Sequence, residues 1–250
     1  MRISGLAAFS AVLLACTCAN AALIGMGSGT YYTPTLENNL TGQGHTVSVV
    51  GSYTSGSLSA FDVYIQDGNS FFNSAALDSF VFNGGTLIEV PWGQTHNNMS
   101  ANLEVMSNRT SLSYGQTNPG ISVLDASNWL LQGVTLPGPA QHNIGREIGN
   151  SFLAGASQVL NWADGTAMLG YRTYGTGLVV SLNLHLITSD ASPLNAAWSN
   201  QIVYNAINGP TAVEATPEPA SMALLAMGGG LLAFGRKRLN RRRQTAELTS

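Results

Sequence analysis

Three residues of this 250-residue chain carry side chains suited to hydrolysis or metal binding: Asp67, His96 and His185. A carboxylate and two imidazoles can activate a water molecule as general bases, or ligate Zn2+ or a related ion. No two of them stand at ligand spacing within one element, and no H-E-x-x-H pattern occurs, so the sequence assigns no metal site and no cofactor. Trp92 could stack on the apolar face of a sugar ring, with Gln94 and Asn69 placed to hydrogen-bond a ligand. Each also has a plainer reading, the tryptophan packing under its own loop and each histidine satisfied at a loop or sheet edge. Glu104 and Glu147 have no carboxylate partner at a defined spacing, so no glycosidase pair can be argued.

Any convergence of these residues depends on the elements that carry them. From residue 22, "ALIGMGSG" reads as a short apolar strand ending in glycines. Leu36 and Leu40 follow at helical spacing, Gly42 and Gly44 stop the helix, and "HTVSVVG" is a β-branched strand. The same alternation recurs in "FDVYIQ", a helix with apolar face Leu77, Phe80 and Val81 capped by Asn73 or Ser74, a Gly84-Gly85 stop, and "TLIEVPW". Strands joined by helices imply an open, mainly parallel sheet with helices on both faces, the α/β class; a β-sandwich is the alternative. In such a sheet ligands bind beyond the carboxyl ends of the strands. Asp67 and Asn69 follow "FDVYIQ", Trp92, Gln94 and His96 follow "TLIEV", and His185 follows the last long strand, so all six belong to that end.

Residues 94–145 are rich in Asn, Ser, Gly and Pro, with apolar patches at "ISVL" and "WLLQGV". Fifty residues without structure are unusual inside a domain, so short elements must lie there. Residues 148–154 read as a short helical piece, "AMLGYRTYGTGLVVSLNL" as a β-hairpin, and residues 195–207 as a closing helix with Trp198, Ile202 and Ile207 on one face.

The composition divides the chain. Between residues 22 and 210 stand Arg109, Arg146 and Arg172, no lysine and ten acidic residues, a net charge of −7, whereas six basic residues crowd positions 236–243. An acidic body with so few cations has no surface for a phosphate backbone, so nucleic acid is excluded as a partner. A sparsely charged surface of amides and hydroxyls suits carbohydrate or another neutral polymer instead.

Residues 1–21 have the form of a secretory signal peptide: Arg2, an apolar run over residues 6–15, and a small-x-small exit at Ala19 and Ala21, with cleavage before Ala22. A lipoprotein signal ending at Cys16 is the competitor, with leucine a poor residue directly before Ala15. Both cysteines, Cys16 and Cys18, lie in this segment, so the mature chain holds no disulfide, thiol nucleophile or thiolate metal site.

Over residues 22–209 the element order, with "FDVYIQDG", "FVFNGGTLIEV" and "YGTGLVVSLNLHL", resembles the class I glutamine amidotransferase-like fold and its non-amidotransferase relatives. The resemblance implies a cysteine nucleophile at the turn after "GGTLIEV" and a His-Pro-Glu after the late strand. This chain has "PWGQTHNN" at the first position and His185-Leu186-Ile187 at the second. A base without nucleophile or orienting acid lacks the constellation for covalent catalysis, so the resemblance implies a degenerate, non-catalytic domain.

After a linker at residues 210–216 come Pro217-Glu218-Pro219 and sixteen uncharged residues at 220–235. The basic cluster Arg236, Lys237, Arg238, Arg241, Arg242 and Arg243 follows, with residues 244–250 as a tail. As a helix the span reaches about 24 Å, short of the ~30 Å hydrocarbon core, and the cluster would hold its end on the cytoplasmic side. "PEPAS", the short apolar span and the arginines, in that order over residues 217–243, resemble the PEP-CTERM sorting signal of exopolysaccharide-producing Gram-negative bacteria. The resemblance implies use of the secretion machinery, transient anchoring in the inner membrane, and cleavage by an exosortase near the Pro-Glu-Pro, with delivery to the cell surface or extracellular matrix. A permanent tail anchor is the alternative. The functional expectation is an exported, non-catalytic α/β protein associated with glycan or exopolysaccharide. Its rival is an extracellular hydrolase acting on a polymer through His96, His185 and Asp67.

Overall fold

The computed structural model describes residues 21–28, 34–66, 73–89, 99–107, 112–113, 119–137, 146–184 and 197–210. Strand β1 (Leu23–Gly27), helix α1 (Pro34–Gly42) and strand β2 (Thr46–Val50) form the first β-α-β unit, its two strands parallel. Gly44, at φ 92°, supplies the left-handed turn that ends α1, and His45 N donates to Leu40 O at 3.2 Å across it. A single helical turn, α2 (Ser55–Leu58), leads to β3 (Val63–Gln66), parallel to β1. The side chain of Asn73 accepts from Ala76 N at 3.1 Å and caps α3 (Ser74–Phe82), after which β4 (Thr86–Glu89) pairs parallel with β3.

The Asn- and Ser-rich middle holds elements of two or three residues. They are β5 (Leu112–Ser113), β6 (Ile121–Val123), a 3-10 turn at Trp129–Leu131 and β7 (Arg146–Glu147). Strands β8 (Ser157–Trp162), β9 (Ala167–Tyr174) and β10 (Gly177–Leu182) follow, and α4 (Ala197–Asn208) closes the domain. The main sheet runs β2-β1-β3-β4-β10-β9-β8-β6, with β5 and β7 paired separately. Its first five strands are parallel; β9, β8 and β6 extend it in antiparallel fashion, beginning with the β9–β10 hairpin. This is one open sheet, not the two facing sheets of a sandwich.

Residues 148–154 are not helical. Their backbone groups pair with distant segments: Ala167 N donates to Asn150 O at 3.0 Å, Ser107 N to Ser151 O at 2.8 Å and Leu153 N to Val105 O at 3.0 Å. Phe152 forms a bridge with Met106. Cross-chain partners have replaced the i to i−4 bonds a helix would need.

Alternate residues of the parallel strands enter two cores. Ile24, Val63, Ile65, Ile88 and Val180 pack with Leu36 and Leu40 of α1 and with Trp198, Ile202 and Val203 of α4. On the opposite face Tyr64, Leu87 and Val179 pack with Leu77, Phe80 and Val81 of α3. Period-two alternation with both faces covered explains why these strands read as near-continuous apolar runs. The chain divides after Gly209; of the second unit only Pro210 is among the described residues.

Close approach of α3 to the β9–β10 hairpin demands glycine. A Cβ on Gly177 would overlap the carbonyl oxygens of Val81 and Gly85, backbone atoms that cannot swing aside. Leu178 N donates to Gly85 O at 3.2 Å at the same place. Gly177→Ala is therefore expected to lower stability by about 2–4 kcal/mol, measured as a shift in urea midpoint at unchanged slope. A change under about 0.5 kcal/mol would show that α3 is not held against the hairpin.

Candidate functional site

The carboxyl edge of the parallel strands carries a row of polar side chains. Gln66 on β3 is in register with Glu89 on β4, and Glu89 with Ser181 on β10. Each stands two residues beyond a residue of the α3-side core, namely Tyr64, Leu87 and Val179, so the three share that face. Neighbouring strands lie about 4.8 Å apart, which sets the spacing along the row. Gln66 and Glu89 are fully buried, and Ser181 is 4% exposed.

The row is anchored at one end. Tyr53 Oη donates to Gln66 Oε1 at 3.0 Å and accepts from Asn73 N at 3.3 Å, and the Tyr53 and Tyr64 rings meet edge-on at 4.9 Å. Burial pushes the Tyr53 phenol up to about 12, against a smaller opposing pull from the Asn73 amide. The phenol is thus a neutral donor throughout the physiological range. Amide, carboxyl and hydroxyl groups thus line up, buried, at the carboxyl end of the open α/β sheet, the end at which such sheets take ligands.

All six residues singled out from the sequence follow these same strand ends. The chain leaves β3 toward Asp67 and Asn69, β4 toward Trp92, Gln94 and His96, and β10 toward His185; their side chains lie outside the described residues. Among the described residues no group of three or more His, Cys, Asp or Glu could hold a metal ion. Sequence reasoning passed over Gln66, Glu89 and Ser181. Their signal is a polar residue breaking an apolar run in "VYIQ", "TLIE" and "LVVSL", but only the cross-strand register shows that the three breaks coincide.

A second polar cluster fixes the chain just before His185. Asn183 Oδ1 accepts from Glu147 N at 2.8 Å, while its Nδ2 donates to Glu147 O at 3.0 Å and Ala167 O at 2.9 Å. Its backbone oxygen accepts from Trp162 Nε1 at 3.3 Å. One asparagine therefore ties the end of β10 to β7, β8 and β9. Beside it Arg146 Nη2 meets Asp164 Oδ2 at 2.6 Å, and the guanidinium lies 5.3 Å from the centre of the Trp162 ring. Arg146 is thus buried and paired. Arg172 is engaged too, donating to the carbonyl oxygens of Ala101 and Glu104.

Comparison with known protein families matches residues 215–242 to the PEP-CTERM protein-sorting motif. The tail is a PEP-CTERM sorting signal. Such a signal implies export, transient passage through the membrane and processing by an exosortase. Among the described residues no helix is long and apolar enough to cross a membrane, and the PEP-CTERM span at 220–235 lies outside them. No curated protein matches the chain in sequence. Two cytoplasmic proteins from Salmonella typhimurium, one of them from strain LT2, superpose with TM-scores of 0.55 at 12% identity, over 74% of this chain and 97% of theirs. A protein from Parabacteroides merdae described as ThuA-like gives a TM-score of 0.51 at 13% identity, over 74% of this chain and 87% of its own. At these identities the likeness shows the fold alone, the open, mainly parallel α/β architecture expected for the body ahead of the PEP-CTERM tail.

The Arg146–Asp164 pair gives this body an acid-sensitive point. Burial tends to raise the Asp164 carboxyl, but the Arg146 guanidinium and the Thr166 backbone and hydroxyl hold it below its ordinary value of 3.8. A depressed carboxylate contributes stability above its unfolded pKa and loses it as pH falls through the folded one. Wild-type protein is expected to lose stability progressively below about pH 4, and Asp164→Asn to show a shallower loss. Identical acid denaturation profiles for the two proteins would refute the assignment.

Proposed function

We propose that this chain is an exported protein, sorted by an exosortase, whose non-catalytic α/β domain acts at the cell surface or in the extracellular matrix by binding exopolysaccharide. The observation that carries the reading is the PEP-CTERM motif at 215–242 on a chain whose first 21 residues have signal-peptide form. Three further features support the binding role. The body has three arginines and no lysine, which suits an uncharged polymer better than a polyanion. No cysteine follows Cys18, and "PWGQTHNN" occupies the turn where the family resemblance implies a nucleophile. The candidate ligand residues Trp92, Gln94 and Asn69 follow the strand ends at the edge where α/β folds take ligands.

Sorting and binding are tested separately. Intact-mass analysis of protein recovered from the surface or medium of the producing cell is expected to show a C-terminus near Pro217–Pro219. Recovery with residues 236–243 still attached would overturn exosortase processing. For binding, wild-type protein should be retained on immobilised exopolysaccharide from that cell. Trp92→Ala should reduce retention about three- to tenfold at unchanged circular dichroism, the effect of one lost contact. Release of reducing ends by wild-type protein and its loss in His96→Ala would instead establish the hydrolase.

A further inference from the structure

Ala22, the first residue after the expected cleavage point, has its backbone nitrogen held by the fold. Ala22 N lies 3.2 Å from His45 Nδ1, to which it donates, and Ala22 O accepts from Thr46 N at 3.0 Å. One residue on, Leu23 N donates to Asp62 Oδ2 at 2.7 Å, and Leu23 O accepts from Asp62 N at 2.8 Å. His45 is 4% exposed, and burial lowers its pKa, so the ring is neutral and Nδ1 is the acceptor, with the proton on Nε2. The sequence alone explains His45 only as a residue between a helix stop and a strand start. Its contact shows a second role.

The position of this nitrogen is set by the body and not by the leader. β1 begins at the very next residue and lies between β2 and β3, so its first turn of chain is fixed by Thr46 on one side and Asp62 on the other. Hydrolysis of the Ala21–Ala22 bond places a hydroxyl on the Ala21 carbonyl carbon and a proton on Ala22 N. The products are a departing carboxylate and a primary amine at the place where the amide stood. Neutral His45 accepts one of its hydrogens, and the positive charge of the protonated amine lies one residue from the Asp62 carboxylate.

We propose that His45 and Asp62 form a seat for the α-amine created by signal-peptide removal, so that the mature N-terminus is a fixed structural group of the sheet. The proposal rests on the signal-peptide reading of residues 1–21. Processing then exchanges a neutral amide donor for a cationic one beside an acidic carboxylate.

The composition makes the seat unusually easy to test. Residues 22–210 contain no lysine, so the α-amine is the one primary amine of the body, and peptide mapping separates it from Lys237 in any protein that retains the tail. Exported protein is treated with acetic anhydride at pH 8, native and in 8 M urea, and acetylation at the N-terminus is followed by mass spectrometry. Native acetylation at Ala22 is expected to be at least tenfold slower than in urea. His45→Ala should bring the native rate to within about threefold of the urea rate. His45→Asn, whose Oδ1 stands at the position of Nδ1 and can still accept, should keep most of the protection. Equal native and urea rates at Ala22 would overturn the seat while leaving the cleavage reading intact. A mature N-terminus at any residue other than Ala22 would overturn the cleavage reading and the seat with it.

Discussion

Every residue of β3 is buried, whichever face of the sheet it points to, and β4 is buried over its last three positions. Double burial of the central strands is the constraint on which the remaining structure depends. With no cysteine after Cys18, packing of two apolar faces against helices must stabilise the domain without covalent help. The same burial denies water to every polar side chain on those strands. A buried polar group left unpaired costs about 1–3 kcal/mol, so such groups persist where the fold supplies partners or where a ligand does. Gln66 answers to Tyr53, and Tyr53 to the first residue of the α3 cap, so the edge row is coupled to the helix that covers it. The candidate site is thus continuous with the core and shares its rigidity.

The sequence shows the parts of this fold whose information is local. The apolar runs in "VYIQ" and "TLIE", the leucine spacing of α1 and the Asn73 cap each occupy a few consecutive residues and survive folding unchanged. Elements of two or three residues, such as β5 and β6, hold too few repeats for any period to show. Residues 148–154 read as helical, whereas the carbonyls of Asn150 and Ser151 and the amide of Leu153 bond to residues more than ten positions away. The site suffers the same limit. Glu89 is a single acid inside an apolar strand, and its alignment with Gln66 and Ser181 depends on pairing between strands 23 and 92 positions apart in the chain. Arg146 and Asp164, eighteen residues apart, were likewise visible only as separate charges.

Two of the solved structures that share this fold are cytoplasmic proteins, whereas this chain ends in a sorting signal for export. Fold and sorting are therefore independent here, and the sorting motif occupies residues 215–242. The body's composition nevertheless accords with that destination. Positive charge governs which side of a membrane a flanking segment occupies, and its effect depends on contrast between the two sides. The three body arginines are few, and of the two that are described, Arg146 is buried against Asp164 and Trp162 while Arg172 is bound to carbonyl oxygens. The basic cluster at 236–243 is left as the dominant positive feature beside the apolar span.

That asymmetry also bears on what the body can bind. A domain carrying −7 over residues 22–210 repels acidic polymers at long range, and screening limits this repulsion to about 8–10 Å at physiological salt. Affinity for a polymer must then come from short-range contacts: hydrogen bonds from amides and hydroxyls, and apolar contact with ring faces. Such contacts are individually small and need many repeats or a rigid, pre-formed surface to hold a chain. The parallel strand ends provide that rigidity, because Asn183 fixes the exit of β10 to three other strands and Tyr53 fixes the exit of β3 to α3. The polymer proposed above, neutral, repeating and rich in hydroxyls, would meet both conditions.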